Sequence, residues 1–201
     1  MAPAWLEKFS VREDPSPDPR RTSSEKPALK LQYQSLADHR RILTVDGEQT
    51  ETPLYEVTRK AILGAWGSKC FITDNEREVA VIQYNTFSYQ IKFPARNDHR
   101  IDMSYGKRTF GASGGLGALT WKGTGMEVAG AVSWELRDES SLVMVVEIDR
   151  TQANGWVTLW KEGLDALTGE ELVVVGVTQI EEYKRMLRNS KKSFVGAAIN
   201  A

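Results

Sequence analysis

A chain of 201 residues, 41% hydrophobic and 26% charged, has enough material for one well-buried domain and a tail. Its formal net charge of -1 makes no global field that would recruit nucleic acid, so no nucleic-acid partner is expected. The single cysteine, Cys70, rules out an internal disulfide and suits a reducing intracellular compartment.

Met1 to Val11 lacks a basic start followed by an apolar run, so no signal peptide is expected. No apolar stretch approaches the about 20 residues of a membrane-spanning helix. These features predict an intracellular protein, cytoplasmic or peripherally membrane-associated. Residues 1–52 read as a largely disordered N-terminal arm, because Glu13 to Pro27 is proline-rich, charged and too poor in large apolar groups to offset its ordering entropy. Leu29 to Tyr33 and Arg41 to Val45 are short strand candidates within that arm.

From Leu54 the pattern becomes strands separated by turn chemistry. Leu54 to Lys60 and Lys69 to Thr73 lead into Asp74-Asn75, a turn signal, and Glu78 to Tyr84 returns as an apolar strand. Tyr89 to Phe93 alternates apolar and polar residues before Pro94. Further strands are predicted at Arg100 to Tyr105, Ala118 to Lys122, Met126 to Leu136, Leu142 to Asp149 and Trp156 to Lys161. Successive short strands with no helical period between them point to an antiparallel sandwich or barrel. Cys70, Trp121, Trp134, Trp156 and Trp160 are expected in the core or wall.

The last element changes character. Glu171 to Val177 is nearly all apolar and passes without a break into the amphipathic Thr178 to Arg188. Its valines favour a strand locally, but the segment is longer than most strands, and Val173, Val177, Ile180, Met186 and Leu187 fall at helical spacings. Thr168-Gly169-Glu170-Glu171 has the spacing of a capping box, and Lys184, Arg185 and Arg188 suit a helix C-terminus. A helix is therefore expected from about Gly169 to Asn189, followed by a tail over 191–201. A helix apolar on every side must be surrounded by protein, and a sheet curled around it is the natural container. The predicted fold is mainly β, an antiparallel β-barrel over 53–190 enclosing its own C-terminal helix.

Pro53-Leu54-Tyr55-Glu56-Val57, Glu78 to Ile82, Arg108 to Gly111, Leu119-Thr120-Trp121-Lys122, the run Gly169 to Val175 and Glu182-Tyr183-Lys184-Arg185 resemble a fungal family of uncharacterised domains. That family is similar in fold to the tubby C-terminal domain, the plant LURP-one-related proteins and the phospholipid scramblases. The resemblance covers Thr52 to Asn189 and implies the same helix-filled barrel. No lysine or arginine here aligns with the phosphoinositide site of tubby proteins, and no acidic calcium segment or cysteine cluster matches the scramblases, so neither activity transfers residue by residue.

Gly111 to Ala118 is the one glycine-rich loop. It lacks the Lys-Ser/Thr pair and following helix of a phosphate loop and reads as a connection between strands. Gly111 to Gly115 is likewise set aside as a serine-nucleophile turn, read as missing the Gly-x-Ser-x-Gly spacing by one residue. His39 and His99 have no partner at metal-ligand spacing, and His99 is placed in a polar turn. No catalytic residue, metal site or cofactor is expected.

The basic cluster Lys184, Arg185, Arg188, Lys191 and Lys192 is the candidate site for anionic lipid or a phosphate-bearing partner; the plain alternative is a solvated helix end. The expectation is thus a non-enzymatic module binding anionic phospholipid, phosphoinositide or a protein. The competing expectation is a barrel carrying a hydrophobic ligand with its helix outside, and an enzyme with a site assembled from separated residues stands behind both.

Overall fold

The structure, a computed structural model, describes residues 16–37, 39–48, 52–62, 65–85, 88–97, 99–104, 108–126 and 131–199. Twelve strands form one sheet: β1 (Leu29–Ser35), β2 (Arg40–Val45), β3 (Tyr55–Ile62), β4 (Ala65–Asp74), β5 (Arg77–Tyr84), β6 (Ser88–Phe93), β7 (His99–Ser104), β8 (Thr109–Ala112), β9 (Gly117–Met126), β10 (Val132–Arg137), β11 (Leu142–Ile148) and β12 (Asn154–Leu159). Their order is β7-β6-β5-β4-β3-β2-β1-β12-β11-β10-β9-β8, with every hydrogen-bonded pair antiparallel. The sheet curls until its two edge strands, β7 and β8, approach each other, which makes a nearly closed barrel.

One helix, α1 (Ala166–Ile199), threads the barrel. Every residue from Glu171 to Lys184 is buried. Val173, Val174, Val175 and Val177 are at most 4% exposed, which places the apolar half of the helix inside the wall. Helix propensity disfavours a valine by under about 1 kcal/mol, whereas burying its side chain contributes about 1.5–3 kcal/mol, so enclosure decides the conformation. Gly176 lets the helix approach the wall closely, since a Cβ there would lie 2.9 Å from Val157 Cγ1 and 3.1 Å from Met144 Sδ. The ligand-carrying alternative required an external helix, and the helix fills the lumen instead.

The helix starts earlier than expected. Asp165 is the cap: its carboxylate accepts the Thr168 amide at 2.9 Å and the Thr168 hydroxyl at 2.7 Å. Thr168 thus occupies the first turn, and Glu171 is freed from the predicted capping box for contacts across the barrel end. The helical backbone also runs past Asn189 to Ile199.

The predicted arm needs correction as well. β1 lies between β2 and β12, and Leu31, Tyr33 and Leu43 point into the core, so both strands are wall. Two short strands that looked isolated along the sequence gain partners on both sides. Residues 16–28 form a strap containing a 3₁₀ turn at Pro19–Thr22. Charge secures it where apolar burial cannot: Arg21 bonds Thr124, Ser133, Glu135 and Glu147, and the Asp18 amide donates to Glu135 at 2.8 Å. Residues 1–15 lie outside the described residues.

Among the predicted strands, Met126 to Leu136 resolves into the end of β9 and β10. β8 was missed because it lies within the glycine-rich stretch. Trp121 and Trp134 are buried in the core, while Trp156 and Trp160 are half-buried in the wall. Cys70 is fully buried, and burial pushes its thiol pKa far up, which suits a packing role.

Candidate anion site at the barrel mouth

Each end of the buried stretch of α1 meets a cluster of polar side chains. Where the helix enters, the fully buried Glu171 accepts the Ser113 amide at 2.9 Å and the Ser113 hydroxyl at 2.6 Å, and its Oε2 lies 2.9 Å from His99 Nε2. Arg96 reaches Glu170 at 2.6 Å and lies 3.5 Å from Glu171, and Arg77 also bonds Glu170. His99 therefore stands at the start of β7, stacked on Phe93, rather than in a solvated turn. Ser113 does occupy the centre of a Gly-x-Ser-x-Gly spacing, contrary to the sequence reading, but it sits in a hairpin turn between β8 and β9 with no helix after it. His99 Nε2 faces both Glu171 and Ser113, at 2.9 and 3.3 Å, whereas a relay needs opposite ring nitrogens for base and orienter. The serine hydroxyl donates straight to the carboxylate, and the group acts as a latch.

The other mouth gathers cations around a buried carboxylate. Glu181, fully buried, lies among Tyr33, Arg41 and Arg59. Tyr33 donates its hydroxyl to Glu181 Oε1 at 2.5 Å, Arg41 Nε is 3.0 Å from the same oxygen, and Arg59 Nη1 is 3.8 Å from Oε2. Lys184, one turn on, donates to the Tyr33 oxygen at 3.0 Å and to Ser35 Oγ at 2.8 Å. Desolvation lowers the Lys184 pKa to about 8, with Arg41 and Arg188 adding repulsion and Glu181 opposing them. Three buried cations, Arg41, Arg59 and Lys184, thus gather around Glu181, and Arg59 also acts on the buried Glu182.

This arrangement opens to solvent through a recess of about 410 Å³. Arg41 and Lys184 form its inner wall, with Ser35 on β1, His39 in the β1–β2 turn, Gln152 in the β11–β12 turn and Arg188 at its rim. Arg41 is 4% exposed and Lys184 7%, while Arg188 is exposed. Burial in a site of low dielectric strengthens each cation's attraction for an entering anion.

The structure divides the predicted basic cluster. Lys184 and Arg188, four residues apart, share the face that lines the recess. Arg185 turns away to Glu182 at 2.9 Å and to the Asn85 carbonyl at 3.3 Å, with its guanidinium over the Tyr84 ring. The side chains of Lys191 and Lys192 lie outside the described residues. Lys184 is not part of a solvated helix end but an internal cation.

Arg41 was the site residue that sequence reading missed, and its signal was present. Leu43 on β2 faces inward, so Arg41, two residues earlier, must face inward too; the same period places Arg59 inside with Val57 on β3. The register pairs Arg41 with Val57, bringing β2 and β3 together against Glu181 on the helix.

Among the described residues no group of three or more His, Cys, Asp and Glu is placed to hold a metal ion. Among them, too, no helix is long and apolar enough to cross a membrane. No family model matches the chain, and no curated protein or solved structure matches it.

Proposed function

We propose that the protein is a non-enzymatic binding module whose ligand is a phosphate-bearing anion, an anionic phospholipid headgroup first among them, held at the mouth where the central helix emerges. The observation that carries this reading is the recess itself, whose inner wall is made by two almost wholly buried cations, Arg41 and Lys184, with Arg188 at its rim. A phosphate entering there would accept charge-assisted hydrogen bonds from Arg41, Lys184 and Arg188 and neutral ones from Ser35 and Gln152. The filled lumen moves binding to the mouths and the outer wall. A helix-filled barrel is also the architecture that the resemblance to tubby-like and scramblase-like domains implies, and it agrees with peripheral attachment of an intracellular protein to a membrane.

The test is co-sedimentation of the whole chain with vesicles of phosphatidylcholine alone, with added phosphatidylserine and with added phosphoinositide, at low and at physiological salt, beside titration with a soluble inositol phosphate. Binding to the anionic vesicles that weakens with salt, and competition by the soluble anion, are expected. Absence of binding to every vesicle and to the soluble anion at low salt would overturn the reading, whereas binding of the soluble anion alone would keep the site and remove the membrane.

A further inference from the structure

The strap over 16–28 carries chemistry that anion binding does not use. Arg20-Arg21-Thr22-Ser23 places arginines three and two residues before Ser23, an exposed serine at the end of the 3₁₀ turn. No other hydroxyl in the strap has an arginine at both positions. The turn is fastened to the outer face of β9, β10 and β11 almost entirely by charge. Arg21 reaches Glu147 at 2.6 Å and Glu135 at 3.3 Å, Arg20 lies 3.3 Å from Asp18, and Arg137 joins Asp18 to Glu135 with 2.9 Å contacts to both. Beneath it Glu135 is fully buried although its side chain points away from the lumen, alongside Val145, its partner across the β10–β11 register.

We infer that Ser23 is a phosphorylation site for a protein kinase that recognises the arginines ahead of the serine when the strap transiently lifts and Arg21 leaves the wall, and that the phosphate then keeps the strap unfastened. In the covalent step the Ser23 oxygen attacks the γ-phosphorus of ATP, and the new O–P bond forms as the bond to the β-phosphate oxygen breaks. ADP leaves with that electron pair, and the hydroxyl proton passes to the carboxylate base of the kinase. The Ser23 hydroxyl at present donates to the Arg20 carbonyl at 2.9 Å, and this bond is lost on modification. A group carrying about -1.5 to -2 charges then stands one turn from Arg20 and Arg21, and competes for them with Asp18, Glu135 and Glu147. It is also repelled by those carboxylates, so both effects act against docking. Phosphate-bound arginines leave Glu135 without Arg21 in a place where it was dry, and hydration of that carboxylate favours the open strap. Release uncovers Glu135 and Val145 beside the already half-exposed Glu147 as a new surface on the barrel wall.

The Asp18 amide reports the docked state directly, because it donates to Glu135 across the strap-to-wall contact at 2.8 Å. The experiment treats the whole chain with ATP and the catalytic subunit of cyclic-AMP-dependent protein kinase. It maps phosphate by mass spectrometry and compares amide hydrogen exchange of the modified and unmodified proteins. Incorporation at Ser23, its loss in Ser23→Ala, and exchange at least about tenfold faster over 18–23 with unchanged protection in β11 and α1 are expected. The inference is overturned if the phosphate goes to another residue or to none, or if Ser23 is modified and exchange at Asp18 does not change. Faster exchange throughout β11 and α1 would also overturn it, by showing global loosening instead of strap release.

Discussion

Glu171 on the central helix and Ser113 in the β8–β9 turn are joined by two hydrogen bonds, from the serine amide at 2.9 Å and from its hydroxyl at 2.6 Å. The second Glu171 oxygen also meets His99 at the start of β7. β7 and β8 are the sheet's two edges, so a carboxylate from inside the barrel spans the seam that backbone ladders leave open. The helix is therefore more than filling, because it ties the edges of its own container together.

Replacing Glu171 by Ala should lower stability by about 3 kcal/mol, since removal of a fully buried carboxylate strands the Ser113 amide and leaves Arg96 without one of its acids. Urea unfolding measures the loss. Amide exchange should quicken first in β7 and β8, and a loss spread evenly over all strands would show that the seam is closed by something else.

Gly176 sets how closely α1 lies against β11 and β12. Gly176→Ala gains about 1 kcal/mol of helix propensity, offset by a Cβ 2.9 Å from Val157 Cγ1, and should come out near neutral. Gly176→Val gains less propensity and adds two methyls near Met144 and Val146, so overpacking should win by about 1–3 kcal/mol. Thermal unfolding of the two variants checks the order, and a more stable valine variant would refute the close approach.

Most of the barrel was legible because its strands alternate and turn residues separate them, and the central helix was legible because an apolar cylinder has to be enclosed. The errors have identifiable physical causes. β1 and β2 looked marginal because strand pairing is a property of neighbours, and β1's neighbour β12 begins more than a hundred residues away. The strap looked disordered because its composition offers no core, while its arginines found carboxylates on β10 and β11 that no local window contains. At the mouth, a basic run shows charge but not direction. Lys184, Arg185 and Arg188 read alike in sequence, and only the helical rotation against β1, β2 and β5 turns Arg185 away from the recess.

Lys184 gives the barrel a pH dependence with a defined sign. Its folded pKa of about 8 lies below the ordinary lysine value of 10.5, because burial, Arg41 and Arg188 outweigh Glu181. Between these limits the unfolded chain holds the proton and the folded chain does not, so stability rises with pH from about 8, by up to about 1.4 kcal/mol per unit. From about 9 the rise is offset, because burial holds the Cys70 thiol protonated in the folded state, and above about 10 it is reversed as burial and Glu181 do the same for the Tyr33 hydroxyl. Urea midpoints should climb from about pH 8 to 9 in the native protein, above the range in which the buried Glu182 carboxyl holds its proton and below that in which the Cys70 thiol titrates in the unfolded chain, and should not climb in Lys184→Met. Anion affinity should move oppositely, falling as pH passes about 8 and the lysine loses its charge. A native midpoint that fell across this range would contradict the assignment.

Arg185 and Arg188 offer the sharpest separation between a site and a general basic end. Arg188 is exposed at the rim of the recess, whereas Arg185 is engaged with Glu182 and Asn85 on another face. A cation near an anionic surface contributes about 1 kcal/mol, so Arg188→Gln should weaken anion binding about fivefold. Arg185→Gln removes the same formal charge but should change affinity by less than about twofold, while lowering stability because the buried Glu182, whose pKa burial pushes up to about 8, loses the hydrogen bonds from its guanidinium partner. Vesicle co-sedimentation and urea unfolding of the two variants should show these effects in opposite proportions. Equal loss of binding in both would mean that net charge at the helix end, and not the recess lined by Arg41 and Lys184, attracts the ligand.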